Sequence, residues 1–386
     1  MTRALVHVQH LLGTGHAVRA AAIGQALNKR GVHVTLATGN RLPATVDTTG
    51  LEVVDLPFAR SADASFDTIL DVDDQPIDTA WETRRKTAAL DLLRDTAPDI
   101  LLVETFPLGR RRFRFELIPL MERACEIRSR PLVATSVRDI LVRKKDPSKE
   151  VAMADLARQL CDLVLVHSDQ SVVRLEDSFP PADMISDLIR YTGFVYPDLA
   201  GRMDGGDGAD EVIVSTGGGA VGRHLLETAL AVQASGILPD VTWRYLIGRD
   251  LADTDAAGLR AKASDRTIIE PARPDFPFLL ERCQLSISQA GYNTVLDILR
   301  AGAPTVLVPF AQGDETEQTQ RAMALEARGR AALVEEASLT AETLTAGIDR
   351  ALSLPRATET IALDGAAASA DILLKALTEL RTSNAE

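Results

Sequence analysis

Ser288-Gln-Ala-Gly-Tyr-Asn-Thr-Val-Leu-Asp-Ile-Leu-Arg-Ala-Gly-Ala-Pro-Thr-Val-Leu-Val-Pro-Phe310 is the stretch whose reading decides the fold. The apolar run Leu285 to Ser288 leads to the turn residue Gly291. Helix-like spacing follows from Asn293 to Arg300. Gly302 and Pro304 stop that helix, and Thr305–Val308 opens a new apolar run. Strand, glycine turn, helix, stop and strand make a βαβ unit. Its loop lies at the carboxyl end of a strand, where open α/β sheets bind ligands. Asp297 stands one helical turn beyond Asn293 on the same face. There it can accept hydrogen bonds from sugar hydroxyls.

The same alternation extends outward in both directions. Strands are expected at Ala4–Val8, His33–Ala37, Asp99–Glu104, Pro131–Ser136 and Leu163–His167. A helix from Ala17 to Lys29 closes at Gly31, and further helical stretches separate the other strands. The polar, acidic segment Arg60–Thr79 reads as a loop. Residues 197–210, PDLAGRMDGGDGAD, read as a linker. The alternation then restarts with strands at Glu211–Ser215, Thr242–Ile247, Thr267–Glu270 and Ala332–Glu335 and a helix at Gly222–Ala234. Helical stretches at Ala341–Leu352 and Ile361–Leu380 end the chain. Strands alternating with helices imply parallel sheets. The expected organisation is an N-terminal domain (1–196), the linker, and a C-terminal domain (211–386). The last helix is a candidate to cross back to the first domain. Two such halves are expected to leave a ligand cleft between them.

Composition narrows the class. The 386 residues are 46% hydrophobic and 25% charged, enough for two ordinary globular domains. A net charge of −13 argues against a nucleic-acid partner, which requires a basic footprint. Cys125, Cys161 and Cys283 form no CxxC and read as buried thiols of a reducing compartment. The N-terminus reads as a first strand rather than a signal peptide. No run reaches the ~18 apolar residues that span a membrane.

Four segments carry candidate chemistry. Gly13-Thr-Gly-His16 follows the first strand, so His16 is expected at the mouth of a strand–turn–helix. A histidine there suits a general base near neutral pH, with packing or capping as the bland alternative. His10 is a secondary candidate, and His7 and His33 read as structural. Ser215-Thr-Gly-Gly-Gly-Ala-Val-Gly222 lies between a strand and a helix. It is a phosphate cradle by type, with backbone N–H groups and a helix dipole facing an anion. Gly217, Gly219 and Gly222 also satisfy GxGxxG, but the acid expected ~20 residues later in a dinucleotide site is missing. Phe310 to Gln318 gathers polar side chains at another strand end, where a solvated acidic helix start is the commoner reading. Gly109-Arg-Arg-Arg-Phe-Arg-Phe115 is a basic, aromatic run in an acidic chain, able to hold an anionic acceptor or touch a membrane face. Asp71-Val-Asp-Asp74 contains a DxD pattern but has no strand before it. Ser168 and Asp169 are candidates by position alone.

These loops together resemble the two-domain GT-B glycosyltransferases of family 28, related to the peptidoglycan enzyme that adds N-acetylglucosamine to a lipid-linked precursor. Gly13, Thr14, Gly15 and His16 resemble that family's N-terminal glycine-histidine loop. Ser215, Thr216, Gly217, Gly218 and Gly219 resemble the loop near the donor diphosphate. Thr294-Val-Leu-Asp-Ile298, with Gly291 and Asn293 before it, resembles the segment whose acid binds the donor ribose. Asp297 replaces the usual glutamate there. Pro309 through Gln318 resembles the loop that touches the donor sugar, with Gln318 the best-placed amide. A poorly characterised bacterial group of glycosyltransferases is also similar, through Glu104 to Glu116, Ser136-Val-Arg-Asp-Ile-Leu141 and Ser288 to Thr294. The chain departs from the peptidoglycan enzyme in lacking the extra glycine before His16 and in its longer, more acidic 311–318 loop.

The resemblance implies an α/β GT-B fold of two Rossmann-like domains with parallel sheets facing a cleft. It implies transfer of a hexose or N-acetylhexosamine from a UDP-sugar to a glycan, lipid-linked or small-molecule acceptor, with inversion. His16 would be the base, and Gly13, Thr14, Gly15, Arg110 and Arg111 would face the acceptor. No metal and no cofactor beyond the donor are expected. The expected place is the cytoplasm, with peripheral contact at the inner membrane face left open. A nucleotide-sugar epimerase of the same fold, a non-catalytic sugar-nucleotide-binding subunit and a dinucleotide oxidoreductase remain the alternatives.

Overall fold

The computed structural model describes residues 1–11, 15–43, 46–62, 68–196, 205–217, 222–248, 251–311, 316–355 and 361–383. The chain forms two compact units. One comprises Met1–Gln170, Arg174–Pro197 and Ala362–Glu386; the other comprises Ser171–Val173 and Asp198–Ile361.

The first unit contains β1 (Arg3–Val8), α1 (Gly15–Asn28), β2 (His33–Thr38), β3 (Glu52–Asp55), β4 (Arg60–Ser61), β5 (Ile69–Leu70), α2 (Thr79–Thr96), β6 (Ile100–Glu104), α3 (Arg114–Glu126), β7 (Leu132–Arg138), α4 (Pro147–Leu160), β8 (Leu163–His167), α5 (Leu175–Ser178) and β9 (Ile189–Tyr191). Seven of its strands form a parallel sheet in the order β3-β2-β1-β6-β7-β8-β9. The central strands β1, β6 and β8 are largely apolar because both faces are covered. Ala4, Val6, Val8, Ile100 and Leu102 pack on one side with α1, while Leu5, Leu101 and Val103 pack on the other with α3.

The second unit contains β10 (Val212–Ser215), α6 (Arg223–Ala234), β11 (Trp243–Ile247), α7 (Asp253–Arg260), β12 (Thr267–Pro271), α8 (Phe276–Arg282), β13 (Leu285–Ser288), α9 (Tyr292–Ala301), β14 (Thr305–Leu307), α10 (Glu317–Glu326), β15 (Ala332–Leu333) and α11 (Ala341–Ser353). Its parallel sheet runs β12-β11-β10-β13-β14-β15. The final helix, α12 (Gly365–Ser383), belongs to the first unit. Its Ala370, Leu373 and Leu377 pack with α1, and Arg30 pairs with Asp371 at 2.6 Å.

Three readings change. Arg60–Thr79 is not wholly a loop: β4 and β5 pair antiparallel, and α2 begins at Thr79, capped by Asp78, which accepts from the Trp81 N–H at 2.6 Å. The DxD pattern does follow a strand, since β5 ends directly before Asp71. Asp71 accepts from the backbone of Asp73 and Gln75, and Asp74 pairs with Arg60 at 2.7 Å. Last, the closing helix starts at Gly365 rather than Ile361, because the backbone before it is drawn into extended pairing. Phe194 N–H donates to Ala362 O, and Val195 bridges Asp364.

Candidate functional site

Each sheet reverses its strand order at one place, and open α/β sheets bind ligands in the crevice at the carboxyl ends of the two strands flanking such a reversal. In the first unit these strands are β1 and β6; in the second they are β10 and β13.

At the first reversal, α1 begins at Gly15 and carries His16 in its first turn, while β6 ends at Glu104. The two side chains meet across the switch point: His16 Nδ1 lies 2.9 Å from Glu104 Oε1. Arg19 pairs with the same oxygen, and Thr105 Oγ1 donates to it at 3.1 Å. Glu104 is buried. Burial alone would raise its pKa, but the Arg19 charge and His16 outweigh that, so it stays ionised. An ionised carboxylate can only accept. His16 therefore carries its proton on Nδ1 and leaves Nε2 as an unprotonated acceptor. Burial pushes the His16 pKa down to about 4, opposed by the hydrogen bond that His16 donates to Glu104. A neutral histidine, oriented by a carboxylate on its far nitrogen, has the protonation needed to take a proton from a hydroxyl.

Behind this pair lies a second polar chain. His167 is fully buried between Ser136 Oγ (2.7 Å) and Thr192 Oγ1 (2.8 Å), with its pKa pushed to about 3 by burial. Both of its ring nitrogens are engaged, which marks it as scaffold.

The arginine run divides. Gly109 folds back on Thr105, where a Cβ on the glycine would lie 2.4 Å from Thr105 Cγ2. Arg110 follows with a left-handed φ of 53° and is half-buried, whereas Arg111, Arg112 and Arg114 are exposed. Among the remaining nominees, Gly13 and Thr14 lie outside the described residues. His7 is buried 3.4 Å from Glu116, and His33 pairs with Glu52 on the surface. His10 is buried, with Nε2 3.2 Å from Arg41 O. Asp169 accepts from the Ala362 N–H at 3.1 Å, tying down the segment before α12.

At the second reversal, Ser215 and Ser288 are paired neighbours at the ends of β10 and β13. Ser215 and Thr216 are buried, and Gly217 takes φ +72° while donating to Ser215 Oγ at 3.3 Å. Gly218 and Gly219 lie outside the described residues. Gly222 returns with φ +103°, and a Cβ there would lie 2.4 Å from Thr216 Cγ2 and 3.1 Å from Gln289 Nε2. The backbone thus passes against both strand ends. Gly291 caps α9 without a side-chain hydrogen bond, so the positive end of that helix is presented at the same crevice. Asn293, Thr294 and Asp297 stand on the first turns of α9, with Asn293 exposed and Asp297 half-buried.

Gln318, expected to touch the donor sugar, also has a structural task. Its Oε1 accepts from both Ala290 N and Phe310 N, at 3.1 Å each, and so staples the ends of β13 and β14 together. Arg321 completes the brace by donating to Ala290 O at 3.0 Å. A cavity of about 30 Å³ lined by Ile298, Pro304, Thr305, Arg330 and Leu354 opens at the amino end of β14, away from these loops. Among the described residues, no group of three or more His, Cys, Asp or Glu side chains is placed to hold a metal ion. None of the described helices is long and apolar enough to cross a membrane.

The sequence points to His16 but not to the partner that orients it; Glu104 enters that reading only as the end of a strand. Arg19, Thr105 and Arg321 were missed altogether. The signal available for Glu104 was an acid closing an otherwise apolar strand.

Residues 214–373 match the glycosyltransferase family 28 C-terminal domain. That match is to the C-terminal domain of the family and covers less than half of the chain. An enzyme of an Exiguobacterium species named UDP-N-acetylglucosamine–N-acetylmuramyl-(pentapeptide) pyrophosphoryl-undecaprenol N-acetylglucosamine transferase is 35% identical over 143 residues. That alignment covers 37% of this chain and 40% of the relative. The Yersinia pseudotuberculosis enzyme of the same name is 28% identical over 207 residues, 50% of this chain and 57% of the relative. The alignments thus span about half the length of these relatives. Among solved structures, the calicheamicin glycosyltransferase superposes with a TM-score of 0.64 at 16% identity, over 99% of this chain and 98% of that one. Acinetobacter baumannii MurG gives 0.61 at 13% identity, over 97% and 99%. The UDP-GlcNAc 2-epimerase of Methanocaldococcus jannaschii gives 0.60 at 12%, over 98% and 100%. The architecture is GT-B, and the matched residues begin in β10 of the second unit.

Proposed function

We propose that this protein transfers a hexose or N-acetylhexosamine from a UDP-sugar to an acceptor hydroxyl, with inversion and without a metal. The observation that carries the reading is the His16–Glu104 pair at the first switch point. His16 Nε2 takes the proton of the acceptor hydroxyl as its oxygen attacks the anomeric carbon and the bond to UDP breaks. Glu104 holds the imidazole and stabilises the imidazolium that forms. In the second unit, the turn at Ser215, Thr216 and Gly217 and the amino end of α9 at Gly291 meet the departing diphosphate with N–H groups. Asn293, Thr294 and Asp297 meet the ribose. Gln318 acts by holding the strand ends, its Nε2 remaining for the sugar.

The acceptor is a glycan, a lipid-linked sugar or a small molecule. The curated relatives are named for a pyrophosphoryl-undecaprenol substrate, which supports the lipid-linked form. Exposed Val142 lies in a basic stretch with Arg143 and Lys144, and the Arg111 charge acts on Lys144. This patch, with Arg112 and Arg114, suits peripheral contact with an anionic membrane face.

The test is UDP release from a panel of UDP-sugars, compared between the unaltered protein and His16→Ala. A loss of about 10²–10⁴-fold in turnover with UDP binding retained supports the base assignment. Near-normal turnover overturns it. The epimerase reading draws on the fold shared with UDP-GlcNAc 2-epimerases. It would show as conversion of the UDP-sugar without acceptor and without net sugar transfer.

A further inference from the structure

Arg110 is the one member of the arginine run that turns inward, and the structure gives it no counter-charge of its own. Its position is built by the backbone. Gly109 lies against Thr105, whose hydroxyl is 3.4 Å from His16 Nδ1, so the next residue is set down beside the base. Among the described residues, the Arg110 guanidinium has no hydrogen bond or ion pair, and its Nε is buried without a partner. The charges that reach it are Arg19, Arg138 and Glu104. Glu104 is the carboxylate among them: its Oε1 is shared by Arg19, His16 and Thr105, and its Oε2 is buried with no hydrogen-bond partner among the described residues, so it offsets the Arg110 charge only from a distance. Burial first, and then the neighbouring arginines, push the Arg110 pKa down to about 10, so it stays charged at neutral pH. A desolvated cation that lacks an anion is held at a cost, which a bound anion removes. One planar guanidinium matches one carboxylate, fork to fork. A phosphate monoester carries about −1.5 to −2 charges at pH 7, more than one guanidinium balances.

We propose that Arg110 is the specificity residue of the acceptor site and that it holds a carboxylate borne by the acceptor, next to the hydroxyl presented to His16. The acceptor is then an acidic sugar or a hydroxy acid, whether free or within a larger glycan. This rests on the reading of His16 as the base.

The test uses three sugars that differ in one substituent: glucuronate, glucose and glucose 6-phosphate. Each is titrated into the full chain saturated with UDP, which removes anion binding at the donor site; binding is read by titration calorimetry in every variant, and the Arg110 Nε–H resonance is followed by NMR in the unaltered protein. Glucuronate should bind at least tenfold more tightly than glucose and more tightly than glucose 6-phosphate. Arg110→Gln should weaken glucuronate by about ten- to a hundredfold, the range of a lost charge-assisted pair, and bring it level with glucose. Arg110→Lys should recover part of the preference, and Arg123→Gln, on the exposed face of α3, should keep all of it. UDP affinity should be the same in every variant. A preference for glucose 6-phosphate would replace the carboxylate with a phosphate-bearing acceptor. No preference over glucose in the unaltered protein, or full preference in Arg110→Gln, would overturn the proposal while leaving the donor site standing. Failure to bind UDP at all would instead sink the donor reading.

Discussion

If His16 is the base, the acid side of the pH–rate profile must lie far below that of an ordinary histidine. The imidazole works only when neutral, so activity is present above its pKa and falls as pH drops through it. Burial places that pKa at about 4, against an unperturbed value of 6.5. At pH 5 a histidine of pKa ~6.5 would be only ~3% neutral, whereas one of pKa ~4 would be ~90% neutral, a difference of about thirtyfold in active enzyme. The assay is kcat/KM for hydrolysis of the UDP-sugar with water as acceptor, measured between pH 4 and 8. kcat/KM reports the ionisations of the free enzyme. Circular dichroism at each pH confirms that the chain remains folded. The same linkage acts on stability. His16 and His167 both have folded pKa values below 6.5, so their contribution is full above about pH 6.5 and declines as pH falls toward 4. Glu104 raises the His16 pKa, so Glu104→Gln should move the acid limb lower still, with turnover reduced about 10²–10⁴-fold. An acid limb near pH 6.5 in a fully folded protein would refute the assignment of His16.

Three further outcomes are expected. Asp297→Ala should weaken UDP binding roughly ten- to a hundredfold by titration calorimetry, through loss of its bonds to the ribose; unchanged affinity would remove Asp297 from the donor site. Gly222→Ala brings a Cβ to 2.4 Å from Thr216 Cγ2 at a φ of +103°, so it should displace the loop after β10 and reduce UDP affinity, while the thermal stability of the unliganded chain changes less. Gln318→Leu strips the acceptor from two backbone N–H groups, which should cost about 2–6 kcal/mol at roughly 1–3 per stranded group. Urea unfolding would read that loss, and a neutral result would mean water replaces the amide.

The strand–turn–helix units were legible because their signals are local. Leu285–Ser288 and Leu163–His167 are apolar runs that need no partner to be recognised, and they appear at those bounds. Gly302 ends α9 with φ +63°, as a glycine stop should. Edge strands escaped notice: β3 shows mostly exposed side chains and β9 has three residues, so neither carries a buried run.

The candidate site divides along the same line. His16 and the glycines of the β10 loop could be nominated from sequence, because a turn that needs small residues before a helix leaves its mark in consecutive letters. The Glu104 partner could not, since it lies 88 positions away and joins His16 only because β1 and β6 are neighbours in the sheet. Gln318 shows the reverse: a residue picked by sequence for the ligand has its carbonyl committed to two strand ends. The arginine run makes the point most sharply, because four arginines of like charge read alike in sequence. Backbone direction, set by Gly109 against Thr105 and by the left-handed turn at Arg110, sends one of them inward and leaves the others in water. Local propensity and periodicity are properties of adjacent residues, so the sequence alone determined the order of elements and the loops at their ends. Burial, pairing and protonation depend on what the sheet order brings alongside, and only the tertiary structure decided those.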